Sequence, residues 1–274
     1  MRDGEKLLAE EIPVKLSGEI DVFENKKREI LSTGDTRLDE FLSLQRGIPI
    51  MIAGAAYTGK TTLALSISLD ALAKGNKVFY IDSECGVLGN RIIQMCNARN
   101  INLSLVKERM KILRISKLEK LSEYLKYASD KYDLVIVDSI SRFIMGGMRT
   151  DTKSLESLEG LISKAYITLN ESIIALSKRN GTLLVINEII PKAKKDIFYT
   201  LTISLTRLAV LTKIIVCLIT KRDKRFLYLE RHPFKASIYE EPLFVEYRIT
   251  NKGLEYLGKV HLDKGMIQYH VDIE

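Results

Sequence analysis

The chain has 274 residues, 46% hydrophobic and 28% charged, with a formal net charge of +7. This composition is globular, too rich in aliphatic residues for disorder, and no apolar run reaches the length of a membrane span. The opening Met1-Arg2-Asp3-Gly4-Glu5-Lys6 is no secretion signal, so a cytoplasmic location is expected, and the basic excess would attract polyanions only where it is clustered.

Residues 1–30 are polar, with one weak apolar alternation at Ile12, Val14, Leu16 and Ile20. They are too short to bury a core of their own and are read as a lead segment, with one domain over 31–274. A turn at Thr33-Gly34 opens a short amphipathic helix through Leu38 and Phe41. Ile48-Pro49-Ile50-Met51-Ile52-Ala53 then reads as a buried strand, and Thr62 to Leu72 spaces its apolar residues as a helix. Between them stands Gly54-Ala55-Ala56-Tyr57-Thr58-Gly59-Lys60-Thr61, which fits the pattern GxxxxGK[ST]. A strand before and a helix after are what this phosphate-binding loop requires. Its backbone N–H groups would form an anion nest, and the helix macrodipole would add positive potential there. Lys60 would reach the β- and γ-phosphates, and the Thr61 hydroxyl would ligate Mg2+.

A second buried strand, Asn76 to Asp82, follows the helix-stopping Gly75 and runs into Ser83-Glu84-Cys85-Gly86. Leu88 to Ala98 has helical spacing, Met110 to Ile115 is strand-like and Lys117 to Ser129 is helical. The order βαβαβ is that of a parallel sheet with crossover helices. Tyr132 to Ser139 is the next strand, four aliphatics running into Asp138 at its carboxyl end, the end of a parallel sheet where ligands bind. Asp138 has the placement of a Walker B residue, which holds Mg2+ through water. Glu84 could activate an attacking water as general base; taken alone, either carboxylate could instead cap a helix or turn.

Leu155, Leu158, Ile162, Ala165, Leu169, Ile173 and Leu176 step by three and four, predicting a long amphipathic helix stopped at Asn180-Gly181. Thr182 to Asn187 is another buried strand. Past Glu188 come a basic loop, Pro191 to Asp196, and shorter strands at Lys213 to Thr220, Arg225 to Glu230 and Leu243 to Ile249 with antiparallel connections. Turns are expected at Asn251-Lys252-Gly253 and at Asp263-Lys264-Gly265, the second joining a terminal hairpin. Cys85, Cys96 and Cys217 show no CxxC pairing, which argues for a reduced compartment. His232, His261 and His270 are scattered, and no catalytic or metal role is expected of them.

Taken together, Thr33-Gly34 with Leu38-Asp39, the loop from Gly54 to Thr61, Tyr80 to Glu84 with Arg91-Ile92, Leu134 to Ser139, and Val185 to Glu188 resemble the successive motifs of RecA/RadA-type ATPase cores. The resemblance runs from about residue 30 to 256 and is closest to archaeal RadB and other RadA paralogues, which lack an N-terminal helix-hairpin-helix domain; none is expected here either. It implies a RecA-like P-loop ATPase core: a mostly parallel central sheet flanked by helices, with antiparallel C-terminal strands. It further implies ATP and Mg2+ as cofactors. The nucleotide would lie along residues 54–61 and Thr62, with Arg91 stacked on adenine, Lys60 and Glu84 acting in catalysis, and Thr61 and Asp138 on the metal. Asn187-Glu188 falls where the family has Asn-Gln, a pair that senses the γ-phosphate and couples it to DNA loops. A carboxylate at 188 faces negative charge there, which would weaken coupling or turnover.

The resemblance also places two DNA-facing loops, at Gly146 to Thr150 and at Pro191 to Tyr199. They offer Arg149, Lys192, Lys194 and Lys195 to phosphates and Tyr199 for stacking, and Lys221 to Arg225 is a second basic cluster. RadA-type filaments use Phe-x-x-Ala before the core; here Phe23-Glu24-Asn25-Lys26 lacks the alanine, so no extended filament is expected. The function so implied is a DNA repair accessory ATPase that binds single-stranded DNA, hydrolyses ATP slowly and modulates a RadA-type recombinase or another paralogue. Two rivals stand beside it: a KaiC-like signalling ATPase acting through protein contacts, recognisable by a nucleotide-dependent ring and autophosphorylation, and a nucleotide-binding scaffold with little turnover.

Overall fold

The structure, a computed structural model, describes residues 28–87, 89–150, 155–189, 208–235 and 243–261, with the side chains of 147–150, 155–158 and 261 outside that description. Arg28 to Leu31 run beside Leu44 to Arg46: Leu31 donates its N–H to the Leu44 carbonyl at 2.8 Å, and Arg46 to that of Glu29 at 2.9 Å. Helix α1 (Thr36–Leu42) starts where the Asp35 carboxylate accepts the N–H groups of Arg37 and Leu38, an N-cap of the usual chemistry.

Strands β1 (Ile50–Gly54), β2 (Val78–Asp82), β3 (Met110–Arg114), β4 (Leu134–Asp138), β5 (Thr182–Glu188) and β6 (Ile214–Lys221) are parallel. Strands β7 (Lys224–Arg231), β8 (Leu243–Thr250) and β9 (Gly253–His261) extend the sheet in antiparallel sense. Their order across the sheet is β3-β2-β4-β5-β1-β6-β7-β8-β9. The β1, β2 and β4 runs are buried along their whole length, which is why they read as unbroken aliphatic stretches rather than alternations. Their side chains alternate between two cores. Ile50, Ile52 and Tyr80 pack with helices α1, α2 (Lys60–Ala73) and α3 (Gly89–Arg99). Met51, Phe79 and Ile81 pack with helices α5 (Leu118–Lys131), α6 (Ile140–Thr150) and α7 (Leu155–Ser177) on the other face. Because β1 lies between β5 and β6 while the chain next enters β2, beyond β5 and β4, the sheet opens a crevice at the carboxyl end of β1, the usual place for a ligand in such a sheet.

Two elements differ from the sequence expectation. A short helix, α4 (Leu103–Arg109), precedes β3, begun by the Asn102 side chain accepting from the Ser104 N–H at 2.9 Å; at seven residues its apolar pattern was too brief to separate from the strand that follows. Gly146 to Thr150 form the last turns of α6 rather than a loop. Ile140, Phe143 and Ile144 are buried on one face of that helix and carry it through both glycines. The basic cluster from Lys221 to Arg225 is the β6–β7 hairpin turn, and Asn251-Lys252 is the turn between β8 and β9. The hairpin expected at Asp263 to Gly265 lies outside the described residues. All three cysteines are free, and among the described residues no helix is long and apolar enough to cross a membrane.

His232, just past β7, is 2% exposed. It takes the Phe234 N–H on Nδ1 at 3.2 Å and faces the Ser43 carbonyl with Nε2 at 3.3 Å, so its Nε2 carries the proton. Burial holds its pKa below the ordinary 6.5, with Lys235 acting in the same direction. The folded chain therefore takes up this proton at a lower pH than the unfolded chain does. The stability His232 contributes is present above about 6.5 and is lost as pH falls through its lower folded value. Urea midpoints measured at pH 7.5 and 5.5 are expected to fall less for His232→Gln than for the parent chain.

Candidate functional site

The loop after β1 is shaped by two glycines that admit no side chain. A Cβ on Gly54 would stand 2.4 Å from the Leu218 carbonyl oxygen of β6, and one on Gly59, whose φ is +98°, would stand 2.9 Å from Cδ1 of Ile249. Between them Ala56 and Tyr57 are exposed, Tyr57 at φ +62°, while Thr58 is buried with its hydroxyl donating to the Ala55 carbonyl at 2.9 Å. The Tyr247 hydroxyl of β8 donates to the Thr58 carbonyl, so the antiparallel strands brace the loop from behind.

Gly59 hands over to α2, whose first residues are Lys60, Thr61 and Thr62. Lys60 is buried, and its Nζ donates to the Ala55 carbonyl at 2.7 Å. Burial lowers its pKa; the charges of Glu188, Asp138 and Glu84, in that order, resist the shift. Thr61 donates its hydroxyl to Oδ2 of Asp138 at 2.8 Å, and the Tyr80 hydroxyl donates to the same oxygen at 2.6 Å. Burial pushes the Asp138 carboxyl up to about 6 against those two hydrogen bonds, and burial followed by Asp138 raises the Tyr80 phenol well above its ordinary value.

Glu84 sits on the exposed turn after β2. That turn is wrapped around the buried Asp82 carboxylate, which accepts the N–H groups of Glu84, Gly86 and Val87 at 3.2, 3.1 and 3.1 Å. The Ser139 hydroxyl donates to Glu84 Oε1 at 2.5 Å. Asn187 and Glu188 end β5, in register beside Ala53 and Gly54. Asn187 is 7% exposed and its Oδ1 is buried without a hydrogen-bond partner.

Lys60, Thr61, Glu84, Asp138 and Glu188, far apart in sequence, thus meet at the carboxyl ends of β1, β2, β4 and β5. Arg91 lies aside from them on α3, donating to Gln94 Oε1 at 2.5 Å and to the Thr250 carbonyl at 2.7 Å. Arg149 is on α6, with its side chain outside the described residues, and Lys192, Lys194, Lys195 and Tyr199 lie outside them altogether. Tyr80, Asp82, Ser83, Ser139 and Tyr247 fall within the stretches that carry the resemblance, but the sequence assigns none of them a role of its own. Each sits in a strand or strand end and looks like core filling until its partner, reached across the sheet, is known. The hint available was a polar atom in an otherwise aliphatic run, since a buried hydroxyl or carboxylate requires a partner.

The donors around Thr61 and Asp138 are a hydroxyl and a carboxylate, hard oxygens that suit Mg2+ rather than a soft metal. Among the described residues no three His, Cys, Asp or Glu side chains gather as a metal cage. One or two protein oxygens are what Mg2+ uses when phosphates and water complete its shell. The glycine-bounded cradle, the buried lysine and the unpartnered Asn187 Oδ1 fit a phosphate chain and its water.

A loop of this kind at the crevice of a mostly parallel sheet, closed by antiparallel strands, makes the molecule a RecA-like P-loop core. Residues 46–178 match the AAA domain family. The chain is 29% identical to the DNA repair and recombination protein RadB of Thermococcus kodakarensis, covering 82% of this chain and 99% of that one. It is also 29% identical to the RadB of Pyrococcus furiosus, covering 83% and 96%. Among solved structures it resembles the RadB recombinase, with a TM-score of 0.62 and 26% identity over 84% of this chain and 100% of that chain. The chain therefore carries a RecA/RadA-family core close to that of RadB.

Proposed function

We propose that this chain is a RadB-like DNA repair accessory ATPase, cytoplasmic, that binds single-stranded DNA and hydrolyses ATP slowly, with a domain over 31–274 preceded by a lead segment. The observation that carries this reading is the meeting of Lys60, Thr61, Glu84 and Asp138 at the carboxyl ends of the parallel strands. The names of the curated relatives direct it to DNA.

In this reading the Gly54 to Thr62 backbone and Lys60 hold the β- and γ-phosphates, and Thr61 and Asp138 hold Mg2+, which supplies charge neutralisation on the phosphates when bound. Glu84 takes the proton of the attacking water, and Arg91 covers the adenine. Tyr80 keeps the Asp138 carboxylate aimed at Thr61. Glu188 gives the reaction its slowness: its carboxylate is the strongest charge acting on Lys60, and it opposes the negative phosphate that Lys60 must meet. Arg149, Lys192, Lys194, Lys195 and Tyr199 contact the strand, and the partner is a RadA-type recombinase or another paralogue, with no extended filament of this chain.

The deciding measurement is ATP turnover with and without single-stranded DNA, together with DNA affinity across a salt series. Turnover is expected to be slow and DNA-responsive. The logarithm of the binding constant is expected to fall against the logarithm of salt with a slope of roughly −3 if the four cations each neutralise one phosphate. Absence of salt-dependent binding to single strands, with or without ATP, would overturn the DNA role.

A further inference from the structure

Behind Glu84 stands a line of buried hydroxyls that the proposed chemistry leaves unused. Ser139 donates its hydroxyl to Glu84 Oε1 at 2.5 Å, Ser141 donates to the Ser139 Oγ at 3.0 Å, and the Glu188 N–H donates to the Ser141 Oγ at 3.0 Å. A carboxylate can only accept and an amide N–H can only donate, so the two ends dictate the sense of every hydrogen bond between them. Both serines are 1% exposed, so breaking the line leaves a buried polar atom to find another partner, at a cost.

The frame around the line is fixed. Ser83, the residue before Glu84, accepts the Ser139 N–H at 2.9 Å and donates its hydroxyl to the Ser139 carbonyl at 3.0 Å. The Ser83 N–H in turn reaches the Asp138 carbonyl at 2.7 Å. At the far end, residue 188 is tied to the phosphate loop. Glu188 is in register with Gly54, and the Ile189 N–H donates to the Gly54 carbonyl at 3.0 Å. The Glu188 carboxylate is also the foremost charge felt by Lys60. Negative charge arriving at Lys60 would act on that carboxylate by like-charge repulsion, at the end of β5 to which the line is anchored.

We propose that Ser139 and Ser141 are positioning residues, a two-hydroxyl relay that transmits the placement of the residue 188 backbone to the Glu84 carboxylate. The proposal rests on the ATPase reading for its use, though not for its existence. Through the relay, the state of the phosphate end of the site sets the aim of the general base, in a chain whose acidic residue 188 makes that end sensitive to charge.

The test takes the full chain and its Ser139→Ala and Ser141→Ala variants. Three quantities are measured: the Glu84 side-chain carboxyl 13C resonance in nucleotide-free protein, assigned by its loss in Glu84→Gln; the exchange rate of the residue 188 amide; and steady-state ATP turnover. Ser141→Ala touches no atom of Glu84, yet it is expected to move the Glu84 resonance, to speed exchange at 188, and to lower kcat several-fold at unchanged KM. Ser139→Ala, which removes the hydrogen bond itself, is expected to lower kcat roughly tenfold. If Ser141→Ala speeds exchange at 188 while the Glu84 resonance stays at its parent position, the hydroxyls merely fill the core and the relay is overturned. A parent chain without turnover would defeat the ATPase reading, and the resonance and exchange measurements would still decide the relay.

Discussion

Glu84→Gln is expected to lower ATP turnover by about 10²–10⁴-fold, the usual contribution of a general base, while the dissociation constant for nucleotide stays within about twofold of the parent's. The substitution suits the question because glutamine keeps the shape. Its amide oxygen can still accept the Ser139 hydroxyl, and the turn around Asp82 is built from backbone N–H groups that the change leaves alone. Only the capacity to take a proton is lost. Phosphate release measured beside fluorescent-nucleotide binding separates the two effects. A variant that turns over ATP within about threefold of the parent would remove Glu84 from the chemistry and favour the scaffold reading.

The second large effect carries two signs. Lys60→Met is expected to weaken ATP binding by about 10–100-fold, the worth of a hydrogen bond between charged partners, yet to leave nucleotide-free protein at least as stable as the parent. Burial lowers the pKa of Lys60 despite three carboxylates that oppose the shift, so its charge is held in the folded chain at a cost. Methionine fills the space of the aliphatic stem without that charge. Calorimetry of the ligand-free variant and titration with ATP check the two halves. A destabilised variant that binds ATP normally would mean that Lys60 serves the fold and not the phosphates.

How much could be read from the sequence differed by residue for physical reasons. Strands β1, β2, β4 and β5 were legible because a strand buried on both faces must be aliphatic throughout, and the loop was legible because its glycines occupy places where no Cβ fits. The RecA-like fold followed from the succession of those motifs, and the similarity to RadB agrees with it. Helix α4 was lost because seven residues give too few repeats of a period. The end of α6 was misread because the family resemblance places a loop at Gly146 to Thr150, while the burial of Ile140, Phe143 and Ile144 carries the helix through both glycines. Tyr80, Ser139 and Ser141 were invisible as site residues because their partners arrive from other strands, Tyr80 and Asp138 being 58 positions apart. No local pattern carries that information.

The brace behind the phosphate loop has a consequence for where the working unit ends. The AAA domain match stops at residue 178, and every residue of the GxxxxGK[ST] signature lies well before it. The wall on which that loop leans is made of Tyr247, Ile249 and Leu254, contributed by β8 and β9. A chain shortened after Ser177 would keep the whole written signature and lose the surface that gives it shape. Change in the β8–β9 hairpin, outside the signature, would therefore alter the shape of the loop while the signature itself stays untouched.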